Sequence, residues 1–189
     1  MSTFFKTMKI HLISNYKSKY PDLKGKELTN ALIKFCGGNP DLEIKRTPEG
    51  KPYAEGYNFS VSHSGDIFAC AFADSNVGID IQHSRNVKAD RIAERYFTER
   101  EAAGIESEDD FFRLWTRKEA YAKYTGRGLA QIMTGEEVID REDVIFKDMI
   151  IRDPENSQEC FCSVCAGRED TENIEETEGI VEWMQWEEQ

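Results

Sequence analysis

Residues 57–82 read YNFSVSHSGDIFACAFADSNVGIDIQ, and their punctuation argues for short strands. Ser64-Gly65-Asp66 and Asp74-Ser75-Asn76 are turn-forming triplets. They divide the stretch into three strand candidates, Tyr57–Ser62, Ile67–Ala73 and Val77–Gln82, in the order of a meander. The second is apolar throughout, as expected of a central strand covered on both faces. In the third, alternation turns Ile79 and Ile81 to the core and leaves Asp80 and Gln82 together on the other face, their Cα atoms about 6.5 Å apart. An aspartate among apolar strand residues is costly to bury unless it is paired or bound to a cation. Taken by itself, the segment reads more simply as a strand-end aspartate facing solvent.

Toward the N-terminus, Met8–Ser14 reads as a first strand. Glu27–Cys36 reads as a helix with Leu28, Ala31, Leu32 and Phe35 at helical spacing, ended by Gly37-Gly38. Beyond Gln82 the periodicity becomes helical. One helix is expected over Ala89–Phe97, and Thr98-Glu-Arg-Glu101 is a capping-box sequence that starts another. Ser107 and the acidic run Glu108–Asp110 suit the N-cap and first turn of a third, Asp110–Tyr124, closed by Gly126. Strand-like segments return at Val144–Ile151, Glu159–Ala166 and Gly179–Trp186. Cys160, Cys162 and Cys165 lie in the second of these, with Cys165 on the opposite face from the other two, so they read as small buried side chains rather than a metal site.

On the third helix, Trp115, Glu119 and Lys123 stack at i, i+4 and i+8. A surface Glu–Lys pair of that kind is worth only ~0.3–0.5 kcal/mol. The tryptophan beneath the stripe instead places it at the lip of the core, where a carboxylate beside a lysine suits a metal–phosphate site. Ser62-His63-Ser64-Gly65 lies at the mouth of the strand cluster, with hydroxyls, an imidazole and turn N–H groups suited to phosphate. There is neither a glycine-rich phosphate loop nor a Gly-x-Ser-x-Gly elbow, so phosphate binding would fall to side chains and turns.

Composition bounds these readings. The 189 residues are 39% hydrophobic and 11% aromatic, enough apolar surface for a packed core. The formal charge of −12 argues against a general nucleic-acid or anionic-membrane binder. That charge is uneven: residues 1–60 hold 10 basic and 6 acidic residues, net +4, whereas residues 136–189 hold 4 and 18, net −14. An anionic ligand on the first two thirds is therefore allowed. Five cysteines, an N-terminus unlike a secretory signal and no apolar run approaching ~20 residues lead us to expect a reduced, soluble, cytoplasmic protein.

Gly50-Lys-Pro52, Asn58–Ser64, Val77–Ile81, Leu114–Ala120, Lys123 and Gly126–Leu129 together form an ordered set of motifs over residues 45–130. In order and spacing it resembles the 4′-phosphopantetheinyl transferases of the surfactin-synthetase-activating (Sfp) type. The resemblance implies an α+β fold of two similar, pseudo-twofold-related subdomains, residues 1–76 and 77–189. Each would be a small antiparallel sheet packed on a helix, and the two would meet in a cleft that holds coenzyme A. It implies a monomer that moves the 4′-phosphopantetheine arm of coenzyme A onto a serine of an acyl or peptidyl carrier protein, releasing adenosine 3′,5′-bisphosphate. The carriers so implied are those of fatty acid, polyketide or nonribosomal peptide synthesis.

By the same resemblance, Mg²⁺ on the pyrophosphate is held by Asp80 and Glu119, with Gln82 where many members carry glutamate. The amide removes one negative charge, so weaker Mg²⁺ binding is expected. Glu119 either binds metal alone or also deprotonates the carrier serine. Lys123 steadies the pyrophosphate with Lys118 nearby, while Lys51, Ser62 and His63 meet the adenosine end and its 3′-phosphate. Gly50 lets the chain pass close to the base. A basic N-terminal segment common in the family is short here, and Lys24, Lys26, Lys45 or Arg46 are candidates to replace its phosphate contacts. An acidic carrier is expected to dock at Arg85, Lys88, Arg91 and Arg95, with Val87 and Ile92 as apolar neighbours. The alternative is a degenerate, non-catalytic coenzyme A or nucleotide-binding relative, and a plain interaction module is a third.

Overall fold

The computed structural model describes residues 8–168 apart from residues 49, 86, 129, 131, 133, 134 and 154–156. The expected strand Gly179–Trp186 lies outside the described residues. In chain order, β1 (Met8–Ser14) leads through the one-turn helix α1 (Tyr16–Lys19) to α2 (Gly25–Cys36). A short pair, β2 (Lys45–Arg46) and β3 (Pro52–Tyr53), precedes β4 (Asn58–Ser64), β5 (Ile67–Ala73) and β6 (Val77–His83). Then come α3 (Ala89–Tyr96), α4 (Glu99–Ala103), α5 (Glu108–Thr125) and the antiparallel pair β7 (Val144–Arg152) and β8 (Glu159–Gly167).

Apart from the short antiparallel β2–β3 pair, the described strands form two three-stranded antiparallel sheets. In the first, of order β1-β5-β4, the apolar strand β5 is central. Its alternation serves two cores at once. Phe68 and Cys70 pack with Leu28, Leu32 and Ile33 of α2, whereas Ile67, Ala69 and Ala71 face Ile79, Ile81, Cys162 and Val164 of the second sheet.

Val77–Gln82 does not continue a meander. It crosses over to become the edge of the second sheet, of order β6-β8-β7, with Asp80 opposite Ser163 of β8. β6 still runs beside β4, yet serine side chains join them where a ladder would be. Ser60 Oγ accepts the Ile79 N–H at 3.1 Å and Ser64 Oγ accepts the His83 N–H at 3.0 Å. The advance from 60 to 64 against 79 to 83 makes the two edges parallel, and the hydroxyls satisfy N–H groups that an unpaired edge would leave bare.

α5 covers the other face of the second sheet, with Phe111, Phe112, Leu114 and Tyr121 against Val144, Phe161 and Cys165. It begins two residues before the expected start, capped by Ser107 Oγ on the Asp110 N–H, and ends at Gly126 with φ 70°. Caps of this kind contribute about 1 kcal/mol each. The capping box of α4 forms as expected between Thr98 and Glu101. Cys160 and Cys162 do face away from Cys165, and all three are buried. No helix among the described residues is long and apolar enough to cross a membrane.

Candidate active site

The seam between β4 and β6 opens into a cleft whose far wall is the C-terminal half of α5. Two adjoining cavities of about 570 and 390 Å³ share Pro52, Val61, Glu119 and Lys123 in their walls. The larger continues past Lys51 and Gly50 to Gly126 and Arg127, and the smaller holds Ser62, His63, Asp80 and Gln82. A third cavity of about 590 Å³ meets the smaller at Thr29, Arg46 and His63.

α5 lies against β6 because residue 78 is a glycine. A Cβ built there would stand 1.9 Å from the Ala120 carbonyl oxygen and 2.7 Å from the Tyr124 nitrogen. That closeness delivers Glu119 and Lys123, one turn apart, to the β6 face that carries Asp80 and Gln82. Asp80 is 4% exposed. Its Oδ1 accepts from Ser62 Oγ and from Lys123 Nζ, each at 2.7 Å, while its Oδ2 is buried and accepts no hydrogen bond. Lys123 Nζ also donates to the Ile79 carbonyl at 2.9 Å, so its position is fixed from two sides.

Glu119 shares this pocket in a less favourable state. Burial, then the charge of Asp80, push its carboxyl up to about 7, against the pull of Lys123. Two facing carboxylates, one with a bare oxygen and one resisting ionisation, make a site short of positive charge. From the opposite wall Lys51 Nζ donates to the Lys123 carbonyl at 2.9 Å, tying the first half of the chain to the end of α5. Partial burial, then the Lys123 charge, lower its ammonium from the usual lysine range.

The structure thus brings together Asp80, Gln82, Glu119, Lys123, Lys51, Gly50, Ser62 and His63 along one cleft. Ser62 is committed to Asp80, and His63 is exposed where the second and third cavities meet. Gly50 has φ +89° with open space around its Cα, so a backbone turn, and not a close neighbour, is what calls for glycine. Of the four N-terminal cations, Lys24, Lys26 and Arg46 line the third cavity. Lys45 turns away to Glu55, 2.8 Å distant.

Lys118 is not part of the cleft. Its side chain is fully buried behind α5, 2.7 Å from the equally buried Glu101, and donates to the Glu136 carbonyl at 2.9 Å. Residue 118 is rotated by about 100° from residue 119 on a helix, so the neighbour of a cleft residue in sequence points into the core. Glu101 itself also closes the α4 cap and accepts the Val138 N–H at 2.8 Å.

Three residues that the sequence reading quoted within motifs, but gave no part in the site, contribute to this geometry. They are Gly78, signalled by a glycine inside a strand, Glu101, and Arg127, which Glu136 holds at 2.7 Å beside the larger cavity. Arg85, Lys88, Arg91 and Arg95 are exposed, whereas Val87 and Ile92 pack onto the core between α5 and the second sheet.

Residues 76–165, which contain Asp80, Gln82, Glu119 and Lys123, match the family model of the 4′-phosphopantetheinyl transferase superfamily. The chain is 31% identical over 169 residues to the 4′-phosphopantetheinyl transferase gsp of Aneurinibacillus migulanus, covering 80% of this chain and 70% of that protein. It is 32% identical over 99 residues to Sfp of Bacillus subtilis and 39% identical over 90 residues to psf-1 of Bacillus pumilus. Those matches take in 48% and 43% of this chain and 44% and 38% of the respective relatives, so the chain spans less than half the length of these two. The likeness to gsp runs through most of both chains, and the family model spans the residues that carry Asp80, Glu119 and Lys123; the chain belongs to the 4′-phosphopantetheinyl transferase superfamily.

Proposed function

We propose that the protein transfers the phosphopantetheine arm of coenzyme A to a serine hydroxyl of a carrier protein and releases adenosine 3′,5′-bisphosphate. The observation that carries this reading is the buried, unpartnered Oδ2 of Asp80 beside the reluctant carboxyl of Glu119, with Lys123 at hand. Lone carboxylate oxygens in such a place are costly unless a cation meets them. Asp80 and Glu119 therefore suit Mg²⁺, with the Gln82 amide oxygen as a third, uncharged donor. When bound, the ion supplies charge neutralisation on the pyrophosphate and raises its electrophilicity.

The residues of the chain divide the remaining work. Lys123 and Lys51 supply positive charge to the phosphates along the larger cavity, whose apolar stretch by Phe59, Val61 and Ala122 suits the pantetheine arm. Arg46, Lys24 and Lys26, with His63, suit the 3′-phosphate of the adenosine end. Glu119, raised to about 7, is suited to take the proton from the carrier serine as its oxygen attacks the phosphorus bearing the pantetheine ester. The new O–P bond forms as the pyrophosphate P–O bond breaks, and the electron pair leaves with the nucleotide. Positioning and charge neutralisation supply most of the acceleration in such a transfer.

The test is incubation with coenzyme A, Mg²⁺ and an apo carrier protein, followed by intact mass. We expect the carrier to gain one phosphopantetheine unit, and Glu119→Ala to abolish the gain. Coenzyme A binding without transfer would instead favour a non-catalytic relative.

A further inference from the structure

We infer that His83 and Asp153 form a brace that positions the β4–β5 turn, and through it Ser62 and His63, for binding the nucleotide end of coenzyme A. The inference rests on the coenzyme A reading above. His83 ends β6 on the face opposite Asp80 and Gln82, away from the side chains that line the cleft. It is a positioning residue. Its buried Nε2 lies 3.1 Å from Asp153 Oδ2, which makes the ring the donor to a carboxylate just beyond the end of β7. Its Nδ1 is buried without a hydrogen-bond partner. An apolar side chain would fill that volume at less cost, so what the imidazole adds is a directional tie.

The ring also crowds Gly65, in the β4–β5 turn. A Cβ at Gly65, where φ is +57°, would stand 2.6 Å from His83 Cε1 and 3.0 Å from Nδ1. The His83 backbone N–H holds the adjoining Ser64 hydroxyl at 3.0 Å. From the other side, Lys17 Nζ donates to the Gly65 carbonyl at 2.6 Å and the Lys17 N–H to Asp66 Oδ1 at 3.1 Å. The turn is thus clamped between the first half, through Lys17, and the second half, through His83 and Asp153. Immediately before it on β4 stand Ser62, bonded to Asp80, and His63, in the cavity walls. Releasing the clamp from the second-half side lets this wall of the cleft shift relative to Asp80.

The test measures coenzyme A affinity by calorimetry and transfer kinetics on the full-length chain for His83→Ala, His83→Gln and Asp153→Asn. We expect His83→Ala and Asp153→Asn to weaken coenzyme A binding roughly five- to tenfold, seen in Kd and KM, with kcat and carrier KM within about twofold. His83→Gln, whose amide N–H reaches for the same carboxylate, should recover most of the loss. As a second measurement, Gly65→Ala should cost less thermal stability in the His83→Ala background than alone, because the ring its methyl would strike is gone. Folded His83→Ala protein with unchanged coenzyme A affinity, or Gly65 and His83 effects that simply add, would overturn the brace while leaving the substrate reading intact. Wild-type protein that binds no coenzyme A would overturn both.

Discussion

Glu119 sits in a position that costs stability to serve the site. Its folded-state carboxyl titrates near 7 against an ordinary value of 4.5, so the folded protein holds the proton more tightly than the unfolded chain. The resulting stabilisation is complete below pH 4.5 and is lost as the pH rises through 7, at about 1.4 kcal/mol per pH unit across that window. Glu119→Gln should therefore be more stable than the wild type at pH 8 in chelator, by about 3 kcal/mol, and the gap should fall below about 1 kcal/mol at pH 5 and close at pH 4. Added Mg²⁺ should raise the wild-type melting temperature and barely move that of the variant. A thermal melt series across pH, with and without metal, checks both statements, and no gap at pH 8 would show that Glu119 ionises freely. With Glu119 as the base of the proposed transfer, transfer should rise with pH toward 7, and a bound cation should move the rise to lower pH. At residue 82 the amide sits where a carboxylate would add charge to the same cavity. Gln82→Glu should lower the Mg²⁺ concentration for half-maximal transfer, and an unchanged metal titration would remove residue 82 from the ligand set.

At the scale of elements, the site depends on how closely α5 lies on β6. Gly78→Ala places a methyl into the Ala120 carbonyl and forces the helix outward. Glu119 and Lys123 flank that point of contact, so the variant should lose transfer activity out of proportion to a destabilisation of about 1–3 kcal/mol. Chemical denaturation beside single-turnover kinetics separates the two effects. Lys118 offers the complementary case. Lys118→Met leaves the Glu101 carboxylate buried without its cation and should cost about 3–5 kcal/mol, while coenzyme A affinity in the protein that remains folded should not change. A selective loss of that affinity would return Lys118 to the cleft. These elements also show where local pattern is a sufficient guide. The ends of α5 follow from Ser107 and Gly126, and β5 from an unbroken apolar run, because each signal lies within the element itself. The partner of β6 lies some eighty residues further along the chain, and no turn residue announces that Val77 changes sheets. The inward turn of Lys118 likewise becomes apparent only once Glu101, on another helix, is seen to meet it.

Across the whole molecule, charge and substrate are arranged in opposition. The excess of acid belongs to residues 136–189, whereas the cleft is reached past Lys51, Lys123, Arg46, Lys24 and Lys26. A second basic surface follows β6 directly: Arg85, Lys88, Arg91 and Arg95 are exposed on and just before α3, while Val87 and Ile92 anchor that segment to the core between α5 and the second sheet. Cations held on a rigid, core-anchored helix keep their spacing, and the charges of an acidic carrier can match it. Because these groups are solvent-exposed, their effect on binding is screened and acts chiefly on encounter. Reversing Arg85 and Lys88 to glutamate should therefore raise carrier KM roughly tenfold at low salt, shrink that difference as ionic strength rises, and leave coenzyme A affinity as it was. Lys9→Glu, an exposed reversal on the first sheet, carries the same change of charge per site to a different face and should leave carrier KM within about twofold. Equal effects at Lys9 and at the α3 surface would mean that the carrier senses only net charge. A loss of coenzyme A affinity in the Arg85/Lys88 variant would mean that this surface belongs to the nucleotide site and not to the docking face.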